Sequence, residues 1–189
     1  MTSASTVFVP EGSFGVLDNG EIPAHTADWS NGLVAPMEQG VLIATGIHTG
    51  YVRVAVAVLD GPPTAPAQAD WDEIVEVSVH APTGSLRLDA PLDGPVHGLV
   101  LLSQAGPGTY RLRVHARGRC TLWDKSSTDP VEDYLVMSWP GPYDSTTILK
   151  SSDLLEADID HTASHPHALL PPTPPTEEEE ALLRRLREG

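Results

Sequence analysis

The sequence predicts an all-β protein: an antiparallel β-sandwich that continues into a Pro-rich linker and a short C-terminal helix. Three observations carry this. Short apolar stretches alternate with period two, Gly, Pro, Asn and Asp punctuate the gaps between them, and up to residue 140 no helical apolar period runs longer than two turns.

Taken in chain order, the candidate strands are "TVFVP", "VLIATG", "YVRVAVAVLD", "WDEIVEVSVHAP", "SLRLDA", "GLVLLS", "TYRLRVHAR" and "DYLVMSWP". The third is the clearest, with Val52, Val54, Val56 and Val58 on one face and Tyr51, Arg53, Ala55, Ala57 and Leu59 on the other. In the fourth, Trp71, Val75, Val77 and Val79 share a side, while Asp72, Glu76, Ser78 and His80 share the opposite one. "LDNGE", "LDGPPTAP", "PLDGP" and "AGPG" supply the backbone angles that turns require. Eight such strands with frequent turns read as a sandwich over residues 1–140.

The seventh strand holds an apparent contradiction. The chain of 189 residues has a net charge of −15, yet Arg111, Arg113, Arg117 and Arg119 fall within nine positions. Period two resolves it, because Leu112, Val114 and Ala116 face inward and Arg111, Arg113, His115 and Arg117 face outward. A basic outer row is best accommodated opposite acids, each cross-strand pair contributing roughly 0.2–1 kcal/mol. Asp72, Glu76, Glu132 and Asp133 are the expected partners. The sharper alternative is a recognition surface for an acidic group, since arginine presents planar donors suited to carboxylate or phosphate.

Composition narrows the function. Residues 1–140 hold sixteen acids against seven bases, so nucleic acid is not an expected ligand; the same field attracts a basic protein partner. No run of about eighteen apolar residues occurs to suggest membrane insertion. The first residues, "MTSASTVFVPEG", lack the basic and apolar regions of a signal peptide, and a cytoplasmic location is expected. Cys120 is the only cysteine and is read as a small structural residue. No nucleophile elbow, phosphate loop or zinc-protease motif is present, so the expectation is a non-enzymatic protein without a cofactor. "DIDHTASHPH" offers metal-ligand types in Asp158, Asp160, His161, His165 and His167, but in a Pro-containing segment whose ordering would cost entropy, and no metal is assigned. Among the tryptophans, Trp71 and Trp139 are expected in the core, and Trp29 and Trp123 are expected to be exposed and available to a partner.

Beyond residue 140 the character changes. Residues 141–161 form an acidic extension in which "STTILK" offers one more strand and "SSDLLEA" a helical turn. Residues 162–175 carry five prolines between 166 and 175 and read as an extended linker. In residues 176–189, Thr176 and Glu179 have capping-box spacing, glutamates load the first turn and Arg184, Arg185 and Arg187 the last. A helix so short is marginal alone, and its stripe of Leu182, Leu183 and Leu186 needs a cover, from its own domain or from a partner's groove.

"DW" with a following glycine (Asp28, Trp29, Gly32), then "WDEIVEVSV", "GTYRLRV" and "EDYLVMSWP", resembles the family of small β proteins that includes the inhibitor of the bacterial competence DNA-entry nuclease. Gly108, Tyr110 and Leu112 match a G-x-Y-x-L element; the following D-x-Y element is matched in part, since Asp133 directly precedes Tyr134. The resemblance covers about residues 5 to 140 and implies a stoichiometric protein partner and no catalytic residue. The sequence thus points to an acidic interaction module, an inhibitor or immunity-type partner of a basic enzyme such as a nuclease. Its partner-binding candidates are Arg111, Arg113, Arg117, Trp29, Trp123, Leu182, Leu183 and Leu186. The alternatives are an adaptor that recruits through the tail helix and a carbohydrate or small-ligand binding sandwich.

Overall fold

The computed structural model describes residues 2–64 and 70–164. Alternating side chains build two sheets. The larger contains β1 (Thr2–Val9), β5 (Thr49–Val58), β11 (Asp133–Pro140), β9 (Gly108–Arg117), β6 (Glu73–Ala81) and β12 (Thr147–Lys150) in that spatial order, with the two-residue β10 (Ser126–Ser127) added against β5. The smaller has the order β3 (Val34–Pro36), β4 (Val41–Ala44), β2 (Ser13–Asp18), β7 (Leu86–Ala90) and β8 (Gly94–Pro95). Neighbours are antiparallel except that β11 and β10 run parallel to β5. The larger sheet is therefore mixed.

The core lies between the sheets. Val52, Val54 and Val56 of β5 turn inward as their alternation requires, beside Val75, Val77, Val79, Leu112, Val114 and Val136, all at most 2% exposed. Phe14, Val16, Ile43, Leu86 and Leu88 close it from the smaller sheet. Phe14 meets Tyr134 edge to face across the gap, with ring centroids 5.1 Å apart. The buried Asp18 carboxylate accepts the amides of Thr83 and Ser85, both at 2.7 Å, and ties the end of β2 to the β6–β7 turn. Gly84 in that turn has φ +69°, and a Cβ there would stand 2.5 Å from the Pro107 nitrogen, so only glycine fits.

Several sequence expectations change. "GLVLLS" forms no strand; Leu102 is buried, but its amide bonds singly to the Leu86 carbonyl, and the Val100 amide bonds to the Ser3 hydroxyl. The segment packs on the core as an irregular connection, because burying leucines does not require a ladder. The packed body does not stop at residue 140, since β12 pairs with β6 and the helix α1 (Asp153–Ser164) buries Leu155 in the core. Ser152 accepts the Leu155 amide at 3.2 Å and so caps α1. The turn expected at "SSDLLEA" is thus a twelve-residue helix that takes in the first residues assigned to the linker. Residues 165–189, with the rest of the linker and the helix expected over Leu182, Leu183 and Leu186, lie outside the described residues.

Candidate interaction surface

The outer face of the larger sheet is set by register. Arg113 stands directly opposite Glu76, and Asp133 lies opposite Arg117 on one side and Arg53 on the other. Arg113 Nε donates to Glu76 Oε1 at 2.5 Å, and Arg111 Nη2 lies 3.4 Å from Glu76 Oε2. Arg117 Nε donates to Asp133 Oδ2 at 2.9 Å, and Arg53 bonds the other oxygen of the same carboxylate. These bonds, led by the one from Arg53, hold the Asp133 carboxyl below its ordinary range despite partial burial. Arg111 also donates to the Ser78 hydroxyl and to the carbonyls of Asp144 and Ser145, which fold over the sheet. Arg113 keeps Nη1 buried with no hydrogen-bond partner among the described residues.

Trp71 and Trp139 are not between the sheets. Strand β6 begins at Glu73, so the alternation that would aim Trp71 inward is interrupted; its ring lies 5.4 Å from that of His115 and 5.2 Å from the Arg117 guanidinium. Trp139, opposite Arg111, is covered on the outer face, 6.0 Å from the Arg113 guanidinium. The arginines and tryptophans thus shield one another. Changing Arg113 to Glu is expected to lower the thermal midpoint by setting two carboxylates face to face, with partial recovery in 0.5 M salt, where the Debye length shrinks to about 4 Å. An unchanged midpoint at low salt counts against this pairing.

His115 is 1% exposed, and desolvation pushes its pKa below the ordinary 6.5, outweighing the bond to the Leu135 carbonyl; nearby Arg113 lowers it further and Glu76 opposes. The unfolded chain therefore binds a proton that the folded one refuses. Stability is full above pH 6.5 and falls as pH drops from there toward the depressed folded value. Urea midpoints at pH 7.5 and 5.5 are expected to differ in this direction, and His115→Gln should shrink the difference.

Arg119 does not share the outward row. Beyond the end of β9 its side chain turns inward, 2% exposed, with Nη1 2.6 Å from Glu73 Oε2 and Nη2 3.3 Å from the Gly32 carbonyl. Glu73 also accepts the Ser152 hydroxyl at 2.5 Å. Close by, the fully buried Glu132 accepts the amides of Gly46 and Ile47 at 3.0 and 2.6 Å and the Tyr134 hydroxyl at 2.5 Å. Burial, with the Glu132 charge second, raises the Tyr134 pKa well above normal, so the phenol stays a donor. Gly46 is required here because a Cβ would fall 1.9 Å from the Arg119 carbonyl oxygen. Desolvation first, then the carboxylates of Glu73 and Asp72, raises the pKa of the Cys120 thiol, contrary to what a nucleophile needs.

Of the two tryptophans expected at the surface, Trp123 is 43% exposed, 5.9 Å from the Arg119 guanidinium, whereas Trp29 is half-buried, its carbonyl accepting the Gly32 amide. A feature absent from the sequence reading is an open cleft of about 420 Å³ on the outer face, at the end of β1. Phe8 and Tyr51, 5.3 Å apart, form its apolar side, and Ser126, Ser127 and Thr128 its hydroxyl side. Tyr51 is 41% exposed. Its outward parity in "YVRVAVAVLD" was a signal for this, but Phe8 joins it only through the β1–β5 pairing.

No family model and no curated protein matches the chain. Among solved structures it is similar to "Crocagin biosynthetic gene J", with 14% identity and a TM-score of 0.46 over 75% of this chain and 99% of that one. Among the described residues no helix is long and apolar enough to cross a membrane, and no three His, Cys, Asp or Glu side chains converge as a metal site.

Proposed function

We propose that this is a non-enzymatic acidic interaction module that engages a basic protein, as an inhibitor or immunity-type partner of an enzyme such as a nuclease. One observation carries the reading. The concentrated positive charge of β9 and its continuation is paired within the molecule, Arg111 and Arg113 with Glu76, Arg117 with Asp133 and Arg119 with Glu73. What a partner meets is therefore the remaining acidic excess of a chain with net charge −15. Such a field speeds encounter with a cationic surface and repels nucleic acid. The resemblance to the competence nuclease inhibitor family points the same way, toward occupation of a basic groove.

The test is capture from native extract with the tagged full-length chain at low and high salt. A basic protein recovered at 1:1 stoichiometry is expected, released at about 0.5 M salt, with its activity falling to a minimum at equivalence when the chain is titrated in. An acidic partner held through high salt, or an activity unchanged at saturation, overturns the reading. A mixed-sequence DNA duplex is expected to show no sub-micromolar binding at about 150 mM salt.

A further inference from the structure

Sheet edges expose rows of unpaired N–H and C=O groups, and proteins blunt them with short strands, proline, charge or bulges. Among the described residues the two sheets have four edges, and three of them are blunted. β3 has three residues and ends in Pro36, β8 is the dipeptide Gly94–Pro95, and β12 has four residues with a register shift between Ile148 and Lys150. The fourth edge, β1, is different. It runs eight residues, "TSASTVFV", in unbroken register against β5, from Thr2 opposite Ala57 to Val9 opposite Gly50. It carries no charge, no proline and no bulge. Beyond its pairing with β5, its backbone makes no backbone hydrogen bond to a described residue. The connection over residues 96–103 touches β1 through the Ser3 hydroxyl, which accepts the Val100 amide. Among the described residues no other strand pairs with the free side of β1.

We infer that β1 is a docking strand that pairs with an extended, positively charged segment of a partner protein, adding one strand to the larger sheet. This rests on the reading of the protein as an acidic interaction module and places its contact. In strand addition the main chain supplies affinity, and pockets for alternate side chains supply specificity. Thr2, Ala4, Thr6 and Phe8 face outward with β5's Tyr51, so an added strand places alternate side chains on the face that holds the 420 Å³ cleft. An arginine or lysine there lays its stem along Phe8, its cation over the exposed Tyr51 ring and its donors toward the hydroxyls of Ser126 and Thr128. A second copy of the chain would also fit an uncharged edge, but pairing two copies joins two bodies of charge −15 each. Charge selects the basic partner.

The full-length chain is titrated with three synthetic octapeptides: alternating Arg–Val, alternating Glu–Val, and Arg–Val with alternate backbone nitrogens methylated. The Arg–Val peptide is expected to bind and to slow hydrogen exchange at alternate amides of residues 2–9, while the methylated peptide, with the same charge, binds at least about tenfold more weakly because each missing bond is costly. Tyr51→Ala, at an exposed position, is expected to weaken the Arg–Val peptide about threefold. Equal binding of the methylated and unmethylated peptides, or binding without protection of β1, overturns the docking strand and leaves the acidic module standing. Equal binding of the Glu–Val peptide overturns the basic occupant, and the module reading with it. A concentration-dependent dimer with β1 protected before any peptide is added assigns the edge to a second copy and overturns the proposal.

Discussion

Replacing Glu73 by leucine is expected to lower the melting temperature by about 6–20 °C, from a loss of about 3–5 kcal/mol when one member of a buried ion pair is removed and about 2–4 °C per kcal/mol for a chain of this size. Glu73 is 1% exposed and Arg119 2%, so no bulk water is available to solvate the guanidinium left behind. The loss should be larger than for Arg117→Met, whose partner Asp133 stays 20% exposed and keeps Arg53. Converting both members, Glu73→Leu with Arg119→Met, should recover much of the loss, since a well-packed apolar pair often matches a buried ionic one. A thermal scan of the three variants decides it. A single variant within about 2 °C of the parent, less than 1 kcal/mol at this size, would mean the pair is not sealed from solvent.

Glu132→Ala is expected to cost about 3 kcal/mol or more, because it orphans several buried donors at once, each worth about 1–3 kcal/mol. Its carboxylate, 0% exposed, is the acceptor for the Gly46 and Ile47 amides and for the Tyr134 hydroxyl. Tyr134 has a second acceptor in the Ala44 carbonyl at 3.2 Å, whereas the two amides sit in the turn after β4 with their carboxylate removed. Glu132→Gln should therefore fall between parent and alanine variant. The check is the urea midpoint at unchanged denaturant slope; an alanine variant as stable as the glutamine one would mean that the amides find other partners.

Much of the fold is legible in local sequence, for a physical reason. β5, β6, β9 and β11 each turn apolar side chains to the core at alternate positions, so their alternation is visible, and the pairing of Arg113 with Glu76 follows from parity on adjacent strands. That the outer face of β9 is itself covered, with Arg111, Arg113 and His115 buried, is not visible in that alternation. β2 is not legible. Phe14 through Asp18 are all buried, and Gly15 breaks the pattern to leave room for Leu17, since a Cβ there would approach Leu17 Cγ to 2.8 Å. Trp71 misleads because the strand starts two residues later, and the inward place goes to Glu73, a carboxylate made tolerable by its distant partners Arg119 and Ser152. The inward place of Arg119 is not legible for a similar reason: nothing nearby in sequence shows the chain turning inward after Arg117. The cleft and the open edge depend on which strands are neighbours. "TVFVP" alone cannot show that it ends a sheet.

The parallel pairing of β5 with β11 sets how the molecule must assemble. Arg53 and Asp133 are opposite one another yet 80 residues apart in the chain, and the strands of the interval contribute to both sheets. β1 and β5 can meet early in synthesis, but on the other side of β5 residues 53–58 wait until β11 has been made. Pairings of such separation make folding slow, because the entropy of closing the loop is spent before the contacts return it. The growing chain therefore carries β5 with most of one side unpaired throughout the synthesis of residues 59–132. A fragment that stops short of β11 is not a smaller sandwich but a sheet without its centre.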